Sequence, residues 1–347
     1  MTAANPHHAR YFERSCRVEQ HQSHSGDIIS LHTGRQASGR ALRWRVRSRE
    51  IVIDRPLIMG ILNVTPDSFS DGGCYESLPD AVARAEQMAS QGAAVIDVGG
   101  ESTRPQGATN VSASEEIGRV VPVIRALRTS MPDLALSIDT TKSDVAAAAI
   151  DAGVDIVNDV SGFRLDARLG EIVARAAVGV VLMHSRGGVS EMGTYQHAQY
   201  GDVVDDVLHE IEASIGVAEH LGIDRSAIVV DPGIGFAKRS EHSLRVLAKL
   251  ARVVALGFPV LVGVSRKRFV GELSGVERAS DRIAGTVGAN VAALMNGARL
   301  FRVHDVALNR EALDVAWGVL QAGDELSQRG EGRAAGADSR FPSPDSP

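Results

Sequence analysis

Eight short apolar runs recur along the chain between residues 57 and 303, and each of them ends abruptly at polar residues. Near-continuous apolar strands are typical of parallel sheets whose faces are covered by helices. In a (β/α)8 barrel, residues at the carboxyl ends of the strands point into the active site. The pattern therefore predicts an α/β fold, a (β/α)8 TIM barrel, with its chemistry at one end. The polar ends of the runs are, in chain order, Asn63, Gly99-Gly100-Glu101, Asp139, Asn158-Asp159, His184, Asp231, Ser265-Arg266-Lys267 and His304-Asp305.

Segments with helical periodicity separate these runs; in the first of them, Leu78, Val82 and Ala85 recur at the spacing of one helix face. The predicted strands are 57–62, 94–98, 134–138, 155–158, 179–183, 227–230, 259–264 and 299–303. The predicted helices are 77–91, 113–129, 142–152, 166–176, 202–221, 240–255, 266–273, 280–296 and 306–321. A doubly wound open sheet is the structural alternative. Since no GxGxxG sequence follows the first strand, its dinucleotide-binding form is disfavoured.

The barrel pattern, with a predicted hairpin at 44–54 ahead of it, makes residues 42–323 one catalytic domain of about the ~250 residues typical of this fold. Residues 1–41 are rich in His, Ser, Arg and Gln and lack an apolar period. Their irregular spacing of histidines favours a flexible extension over a metal site. Residues 324–347 cannot bury a core, so we predict a disordered C-terminal tail.

The composition limits the classes of binding partner and the cellular location expected for this chain. The formal net charge of -6 gives no indication of a general affinity for nucleic acid. No apolar run approaches the ~20 residues that span a bilayer, and the first residues lack the apolar stretch of a signal peptide. Cys16 and Cys74 stand in no metal-ligand spacing, so we expect free thiols. These features predict a cytoplasmic protein without a nucleic-acid or membrane partner.

Two long polar loops follow the first two predicted strands. The loop from Asn63 to Gly73 exceeds the 2–6 residues usual for such connections, which favours a binding loop or lid over simple turn chemistry. In the loop from Gly99 to Gly107, paired glycines allow close backbone approach to a ligand. Its Arg104 offers a planar fork for a phosphate or carboxylate, and a solvated loop arginine is an equal alternative.

Buried carboxylates end two of the apolar strands. Asp139 and Asp231 need hydrogen-bond donors, which Lys267 or a donor-rich ligand would supply. The alternative, a structural Asp that caps the next helix, is stronger for Asp139 than for Asp231, which Pro-Gly follows. With the amide of Asn158, these groups suit a flat heterocycle with several ring nitrogens.

A basic cluster follows the last two strands, in Ser265-Arg266-Lys267-Arg268 and Arg302-Val303-His304. Strands 7 and 8 of a TIM barrel commonly form an anion site together with a helix N-terminus. Four cations and an imidazole in this position favour a phosphate or diphosphate site over a solvated basic patch.

The chain resembles the dihydropteroate synthases over residues 42–320, in motifs that occur in the same order and at matching strand ends. These motifs are ILNVTPDSFSDGG, DVGGESTRP, SIDTTK, VNDVSG, VLMHSRG, DPGIGFAK, GVSRKRFVG and RVHDV. The resemblance implies a (β/α)8 barrel, a homodimer and a Mg²⁺ cofactor. It also implies a reaction: 6-hydroxymethyl-7,8-dihydropterin diphosphate and 4-aminobenzoate give 7,8-dihydropteroate and diphosphate.

The resemblance also assigns site residues by motif, with Asp139, Asp231 and Lys267 expected to be catalytic. The pterin site would comprise Asp139, Asn158, Met183, Asp231 and Lys267, although Met183 has an alternative role in the core. The diphosphate site would comprise Asn63, Thr103, Arg302 and His304, with Asn63 also a ligand of Mg²⁺. The 4-aminobenzoate site would comprise Phe69, Thr103, Arg104 and Pro105.

The chain departs from the family pattern in three places. Gln106 is inserted into ESTRPG, which changes the geometry of the second loop. Arg268 stands where a serine is also common, and we predict that it pairs with the aminobenzoate carboxylate. The loop after His184 is unusual and is assigned no role.

Three rival functions share this fold. A pterin-dependent methyltransferase domain needs no diphosphate site, so Arg302 and His304 argue against it. A pterin-binding paralogue without activity should have lost loop residues, yet NVTPDSF and STRP are present. A phosphate-binding aldolase needs a Schiff-base lysine or a metal cluster, and Lys267 is the clear lysine candidate. The fold alone does not separate the aldolase from the synthase.

Overall fold

Eight parallel strands surrounded by helices follow an antiparallel hairpin in the computed structural model, which describes residues 42–64, 78–101 and 111–335, with side chains up to residue 323. The hairpin strands are β1 (Leu42–Val46) and β2 (Arg49–Ile53). The barrel strands are β3 (Leu57–Asn63), β4 (Val95–Gly99), β5 (Ala135–Asp139), β6 (Ile156–Asp159), β7 (Gly179–Met183), β8 (Ile228–Asp231), β9 (Leu261–Val262) and β10 (Leu300–Val303). The α-helices are α1 (Leu78–Ser90), α2 (Ala113–Ser130), α3 (Ser143–Ala152), α4 (Ala167–Ala176), α5 (Val189–Met192), α6 (Val203–His220), α7 (Ser240–Ala248), α8 (Ala251–Val254), α9 (Arg268–Ser274), α10 (Ile283–Met295) and α11 (Val306–Ala335).

The eight strands form a barrel in which chain neighbours pair in parallel. β3 pairs with β4 on one side and with β10 on the other, so the first and last strands are adjacent. The remaining seam, between β8 and β9, is bridged by the parallel pair Val230 and Val260. This arrangement confirms the predicted TIM barrel and brings all eight carboxyl ends to one rim, here called the mouth.

The hairpin closes the opposite end of the barrel, here called the floor. Trp44 is fully buried there, and its indole Nε1 donates a hydrogen bond to the carbonyl of Ala227 over 2.9 Å. The hairpin packs on a layer to which every barrel strand contributes one inward side chain. These side chains are Met59, Val95, Ala135, Ile156, Val181, Val229, Leu261 and Leu300, and each is at most 5% exposed.

Every second residue of a barrel strand faces inward, from the layer at the floor to the polar residues at the mouth. Because successive strand residues face opposite sides, residues two and four places after Val95 also point inward, namely Asp97 and Gly99. The intervening Ile96 and Val98 pack outward in the core beneath the helices. The same step of two leads from Leu300 to Arg302. The polar strand ends therefore converge inside the barrel.

Most predicted bounds agree with the structure to within one or two residues, but four predicted elements differ, and the short α5 was not predicted. α10 begins at Ile283, three residues after the predicted start at 280. β9 has two residues where six were predicted, since Pro259 lacks an N–H and Gly263 follows the strand. The predicted helix 240–255 is divided at Lys249 into α7 and α8. α11 continues to Ala335, beyond the predicted helix end at 321, whereas the disordered tail expected from 324 stays a prediction. The stretch from 322 to 335 contains Gln, Glu, Leu, Arg and Ala, which favour a helix, and no proline, although three glycines oppose it.

The length and hydrophobicity of the described helices test whether any of them could cross a membrane. None of those in the described ranges is long and apolar enough to cross a membrane. The N-terminal extension 1–41 and residues 336–347 lie outside the described residues.

Candidate functional site

Arg302 links three strands at the centre of the mouth. Its Nε donates to Asp97 Oδ2 over 2.6 Å, and its Nη2 donates to Asp139 Oδ2 over 2.6 Å. The amide Nδ2 of Asn158 donates to the same Asp97 oxygen over 2.9 Å. The second Asp97 oxygen is buried and has no hydrogen-bond partner among the described residues. Arg302 was predicted to bind diphosphate, but the structure directs it first at these two carboxylates.

The electrostatics of Asp139 follow from this position. Burial raises its pKa to about 7, against the lowering effect of the Arg302 guanidinium, and the neighbouring carboxylate of Asp97 raises it further. One guanidinium therefore serves two carboxylates in a site that excludes most water. A ligand that brings N–H donors would stabilise the ionised form of Asp139.

Asp231 and Lys267 form the other side of the site. Asp231 Oδ1 accepts the backbone N–H of Gly233 over 2.7 Å, and burial raises the pKa of this carboxyl although Lys267 opposes the rise. The Lys267 ammonium donates to the carbonyl of Ile234 and lies 4.2 Å from the ring centre of Phe236. Burial lowers the pKa of Lys267 to about 7, with Asp231 acting in the opposite direction.

Two glycines lie between these groups and add no side chain to the mouth. A Cβ added at Gly263 would lie 3.8 Å from both the Arg302 Cβ and the Asp231 Oδ2. A Cβ added at Gly99 would lie 3.5 Å from Asn63 Oδ1 and 3.7 Å from Asp139 Cβ. The predicted diphosphate residue Asn63 is thus adjacent to the predicted pterin residue Asp139, as the hypothesis of one continuous site requires.

His304 lies beside Ser265, a residue to which the sequence assigned no separate role. The imidazole Nδ1 is 2.9 Å from Ser265 Oγ, which also accepts the backbone N–H of His304 over 3.2 Å. This pair joins the ends of β9 and β10 and fixes the orientation of the ring at the rim of the mouth.

Arg266 is excluded from the predicted anion cluster. Its Nε and Nη2 donate to both oxygens of Asp305, over 3.0 and 2.6 Å. Its backbone is held in the left-handed region, with φ of 59°, by the hydrogen bond from its N–H to Thr286 Oγ1. The guanidinium of Arg266 is thus engaged in a bidentate pair, which leaves Lys267 and Arg268 for an anion, together with Arg302, whose guanidinium already pairs with two carboxylates.

Met183 and Arg268 are found at the edges of the site. Met183 is 4% exposed and packs in a small apolar cluster with Val160 and Met192, against Phe236. Arg268 is exposed at the start of α9, with its guanidinium 4.7 Å from the ring centre of Tyr195. Their predicted contacts with the pterin ring and with the aminobenzoate carboxylate stay predictions.

The base of the second loop is held together by a buried charge cluster. Glu101 Oε1 accepts the backbone N–H of Val111 over 3.0 Å, which joins the two ends of the loop. The ammonium of Lys142 donates to Glu101 over 2.9 Å and to the fully buried Glu116 over 2.6 Å. The loop residues predicted to bind substrate, and the inserted Gln106, lie outside the described residues: these are Phe69, Thr103, Arg104, Pro105 and Gln106.

Two buried charged residues at the mouth were missed by the sequence analysis. Asp97 stands inside the apolar run AAVIDV rather than at its end, and the step of two from Val95 would have placed it inward. Lys238 follows Asp231 by seven residues in DPGIGFAK and is 1% exposed. A lysine inside a motif that otherwise supplies turn glycines was the available signal.

The donor set limits what metal the chain can hold. Within the described residues, no three His, Cys, Asp or Glu side chains are grouped so as to bind an ion. Asn63 offers one amide oxygen near the carboxylate of Asp139. This fits a hard cation that keeps waters and is bound mainly by phosphate oxygens, as Mg²⁺ usually is.

Comparisons with known proteins agree with this geometry. The family model described as pterin binding enzyme matches residues 59–304. The chain is 42% identical over 262 residues to the dihydropteroate synthase of Synechocystis sp., which covers 76% of this chain and 89% of that protein.

Two solved structures are similar over 81% of this chain and 99% of their own. Xanthomonas albilineans dihydropteroate synthase with 4-aminobenzoic acid is 44% identical, with a TM-score of 0.75. The enzyme from that organism in complex with 7,8-dihydropteroate is 42% identical, with a TM-score of 0.72.

Proposed function

Because the chain belongs to the dihydropteroate synthase family, we propose that it condenses 6-hydroxymethyl-7,8-dihydropterin diphosphate with 4-aminobenzoate, which gives 7,8-dihydropteroate and diphosphate. Related structures contain 4-aminobenzoic acid and 7,8-dihydropteroate, a substrate and the product of this reaction. The observation that carries the proposal is the group of inward carboxylates around Arg302, next to Gly263, which places no side chain of its own between Arg302 and Asp231.

The pterin would lie flat against this group of carboxylates. Its ring and amino N–H groups are donors, and the mouth has too few donors for its three carboxylates, which are Asp97, Asp139 and Asp231. Asn158 can both donate and accept, although its Nδ2 is engaged with Asp97. Lys267, held on the Ile234 carbonyl, can turn its remaining protons toward the pterin carbonyl and ring nitrogen.

Bond cleavage would occur at the exocyclic methylene of the pterin. The C–O bond breaks and its electron pair leaves with diphosphate, while the pterin ring delocalises the positive charge on the methylene carbon. His304, fixed by Ser265, and Asn63 hold the phosphate oxygens at the rim, near Arg302. When bound, Mg²⁺ would supply charge neutralisation to the departing diphosphate.

The amine of 4-aminobenzoate then attacks the methylene carbon, forms the C–N bond and releases a proton. No covalent enzyme intermediate is needed. Thr103, Phe69, Arg104 and Pro105 belong to this half of the proposal, together with Arg268, whose guanidinium is exposed at the rim. The pterin bound beneath would form one wall of the aminobenzoate site.

A homodimer is part of the same proposal. α10 and α11 carry exposed apolar side chains at Met295, Leu308, Val315 and Val319, between 47 and 67% exposed. Val315 and Val319 are one helical turn apart and form a stripe, which favours an interface. On α10, the predicted stripe is divided: Leu294 is buried, whereas Ile283, Val287 and Val291 are half-buried. The cytoplasmic location stays a prediction from the sequence.

The test is diphosphate release by the purified protein with the pterin diphosphate and Mg²⁺, with and without 4-aminobenzoate. We expect release that depends on the aminobenzoate, with equimolar dihydropteroate. Asp139→Asn and Asp231→Asn should each lower kcat/KM by about a hundredfold or more, because a carboxylate acceptor of a charge-assisted bond is lost.

Asp155→Asn is the matched control, since this buried carboxylate lies near the floor and should leave kcat/KM unchanged. Pterin binding without turnover by the unaltered protein would contradict the proposal and indicate a binding paralogue. Normal turnover by both mouth variants would contradict the assigned site.

A further inference from the structure

Lys238 is a fully buried lysine that the proposed reaction does not use. It is one of four lysines in the chain and is 1% exposed. Its Nζ contacts three acceptors: His184 Nδ1 at 2.7 Å, the Gly233 carbonyl at 3.1 Å and the Phe236 carbonyl at 3.2 Å. Three acceptors match the three protons of an ammonium group, so Lys238 has no proton left to donate to a substrate.

His184 connects this ammonium to a carboxylate outside the barrel. Its side chain is fully buried, and its Nε2 lies 3.0 Å from Glu210 Oε2, away from the ideal hydrogen-bond direction. Burial lowers the pKa of His184 to about 4, so the ring carries one proton. With Nδ1 accepting from Lys238, that proton is on Nε2 and faces Glu210. Burial lowers the pKa of Lys238 well below its ordinary value, with Asp231 acting in the opposite direction. The imidazole thus lies between this buried lysine and Glu210, which also pairs with Arg186.

The turn that Lys238 holds is conformationally costly. Gly233 has φ of 64°, Gly235 has φ of 80° and Ala237 has φ of 46°, so three of five consecutive residues are in the left-handed region. A non-glycine residue there persists only when its surroundings enforce the conformation. Lys238 contacts two carbonyls of this turn from below, which is the restraint that the backbone needs.

The other face of the same turn touches the pterin site. The Ile234 carbonyl accepts from Lys267, and the Phe236 ring lies beneath the Lys267 ammonium. The Gly233 N–H holds Asp231, and a Cβ at Gly235 would come within 2.8 Å of the Lys267 Cδ. Every residue from 233 to 236 thus lies in contact with, or directly beside, the side chain of Asp231, Lys267 or Lys238.

We propose that Lys238, seated on His184, is a positioning residue that fixes the 233–237 turn so that Asp231 and Lys267 are correctly placed for the pterin. The activity readouts rest on the proposed function, whereas the contact between the turn and Lys267 is tested independently of it. Lys238 acts through the turn and touches neither substrate.

The experiment compares Lys238→Met, which keeps the length of the side chain and removes its donors, with Lys249→Met at an exposed lysine on the protein surface. Each full-length variant is titrated calorimetrically with the pterin diphosphate and Mg²⁺. We expect Lys238→Met to raise the Kd for the pterin about ten- to a hundredfold, while the KM for 4-aminobenzoate changes less than about twofold. Lys249→Met should match the unaltered protein.

The second readout is the set of four lysine side-chain resonances in protein labelled with ¹³Cε-lysine. The Lys267 resonance should titrate at higher pH in Lys238→Met, because a released turn exposes this ammonium to water. A lower Tm with an unchanged pterin Kd and an unchanged Lys267 titration would overturn the proposal, since that outcome describes a purely structural lysine.

A milder pair keeps the test valid if Lys238→Met does not fold. His184→Leu removes the acceptor of Lys238, and His184→Gln restores an acceptor oxygen. We expect a threefold to tenfold weaker pterin affinity for the leucine variant and recovery in the glutamine variant, roughly the net effect of one ordinary hydrogen bond. Equal affinities in the two variants would overturn the proposal. If the unaltered protein binds no pterin, the proposed function fails, and the Lys267 titration still decides the link between the turn and Lys267.

Discussion

Arginines pair with buried carboxylates at both the floor and the mouth of the barrel, but the number of arginines per carboxylate differs between the two ends. At the floor, one Asp155 oxygen accepts from Arg49 over 2.6 Å, from Arg128 over 2.7 Å and from the Leu136 N–H over 3.0 Å. At the mouth, one Arg302 serves both Asp97 and Asp139. Two guanidinium groups serve one carboxylate at the floor, whereas one guanidinium group serves two carboxylates at the mouth. A site short of donors is completed by a ligand that brings N–H groups, whereas a saturated site contributes to stability alone.

The largest effect should come from removing the shared guanidinium. Arg302→Met leaves Asp97 and Asp139 buried without a cation, which should cost about 3–5 kcal/mol of unfolding free energy and reduce kcat/KM at least about a thousandfold. Arg49→Met leaves Asp155 with Arg128 and a backbone N–H, so we expect a loss of about 1 kcal/mol and normal turnover. Urea unfolding and steady-state kinetics on both variants measure this difference. Equal losses of activity would refute the distinction between the two ends.

A smaller effect should follow from pH. The Asp139 carboxyl has its pKa raised to about 7, and a pterin that donates N–H groups favours the ionised form. Affinity should therefore fall as pH drops below 7, by up to about tenfold per unit. The Lys267 pKa is lowered to about 7, and a pterin that accepts hydrogen bonds favours the ammonium, so affinity should also fall as pH rises above 7.

Calorimetric Kd values between pH 5.5 and 8.5 should thus give an optimum near neutrality. Lys267→Met should remove the alkaline limb and retain the acid limb. Asp139→Asn should do the reverse. An affinity that is independent of pH in the unaltered protein would contradict both assignments.

The smallest change tests whether the pterin approaches the backbone at Gly263. Gly263→Ala adds a methyl group that meets Arg302 and Asp231 at ordinary contact distances of 3.8 Å. We expect an unchanged Tm and a pterin affinity about tenfold weaker, because the methyl occupies volume meant for the ring.

Gly179→Ala is the counterpart at the floor, where the added Cβ would lie 2.7 Å from Val46 and 3.1 Å from the Trp44 Nε1. This overpacking should cost about 1–3 kcal/mol of stability and leave the pterin affinity unaltered. Thermal melts and titrations of both variants decide the matter: a loss of stability in Gly263→Ala would mean that the space above it belongs to the core.

The fold followed from the sequence because apolar runs and helical periods are local patterns, and their bounds were accurate where a run ended in a charged residue such as Asp139 or Asp231. β9 was overestimated because an apolar run does not show where pairing stops. Asp97 was overlooked since its neighbours in sequence are apolar, and only the register of the strand turns it inward. Arg266 was assigned to an anion because charge is visible in sequence, whereas its partner Asp305 is 39 residues away.

The closed floor also governs how molecules move through the enzyme. With Trp44 and its layer sealing one end, the part of the barrel that the structure describes has a single opening, at the mouth. In the proposed arrangement the pterin lies deeper than the aminobenzoate, so it would arrive first, and a molecule already at the rim would obstruct its entry. The product contains both halves and departs through the opening by which they entered. On this arrangement, dihydropteroate and the incoming pterin diphosphate would exclude one another, and we expect product inhibition that competes with the pterin diphosphate.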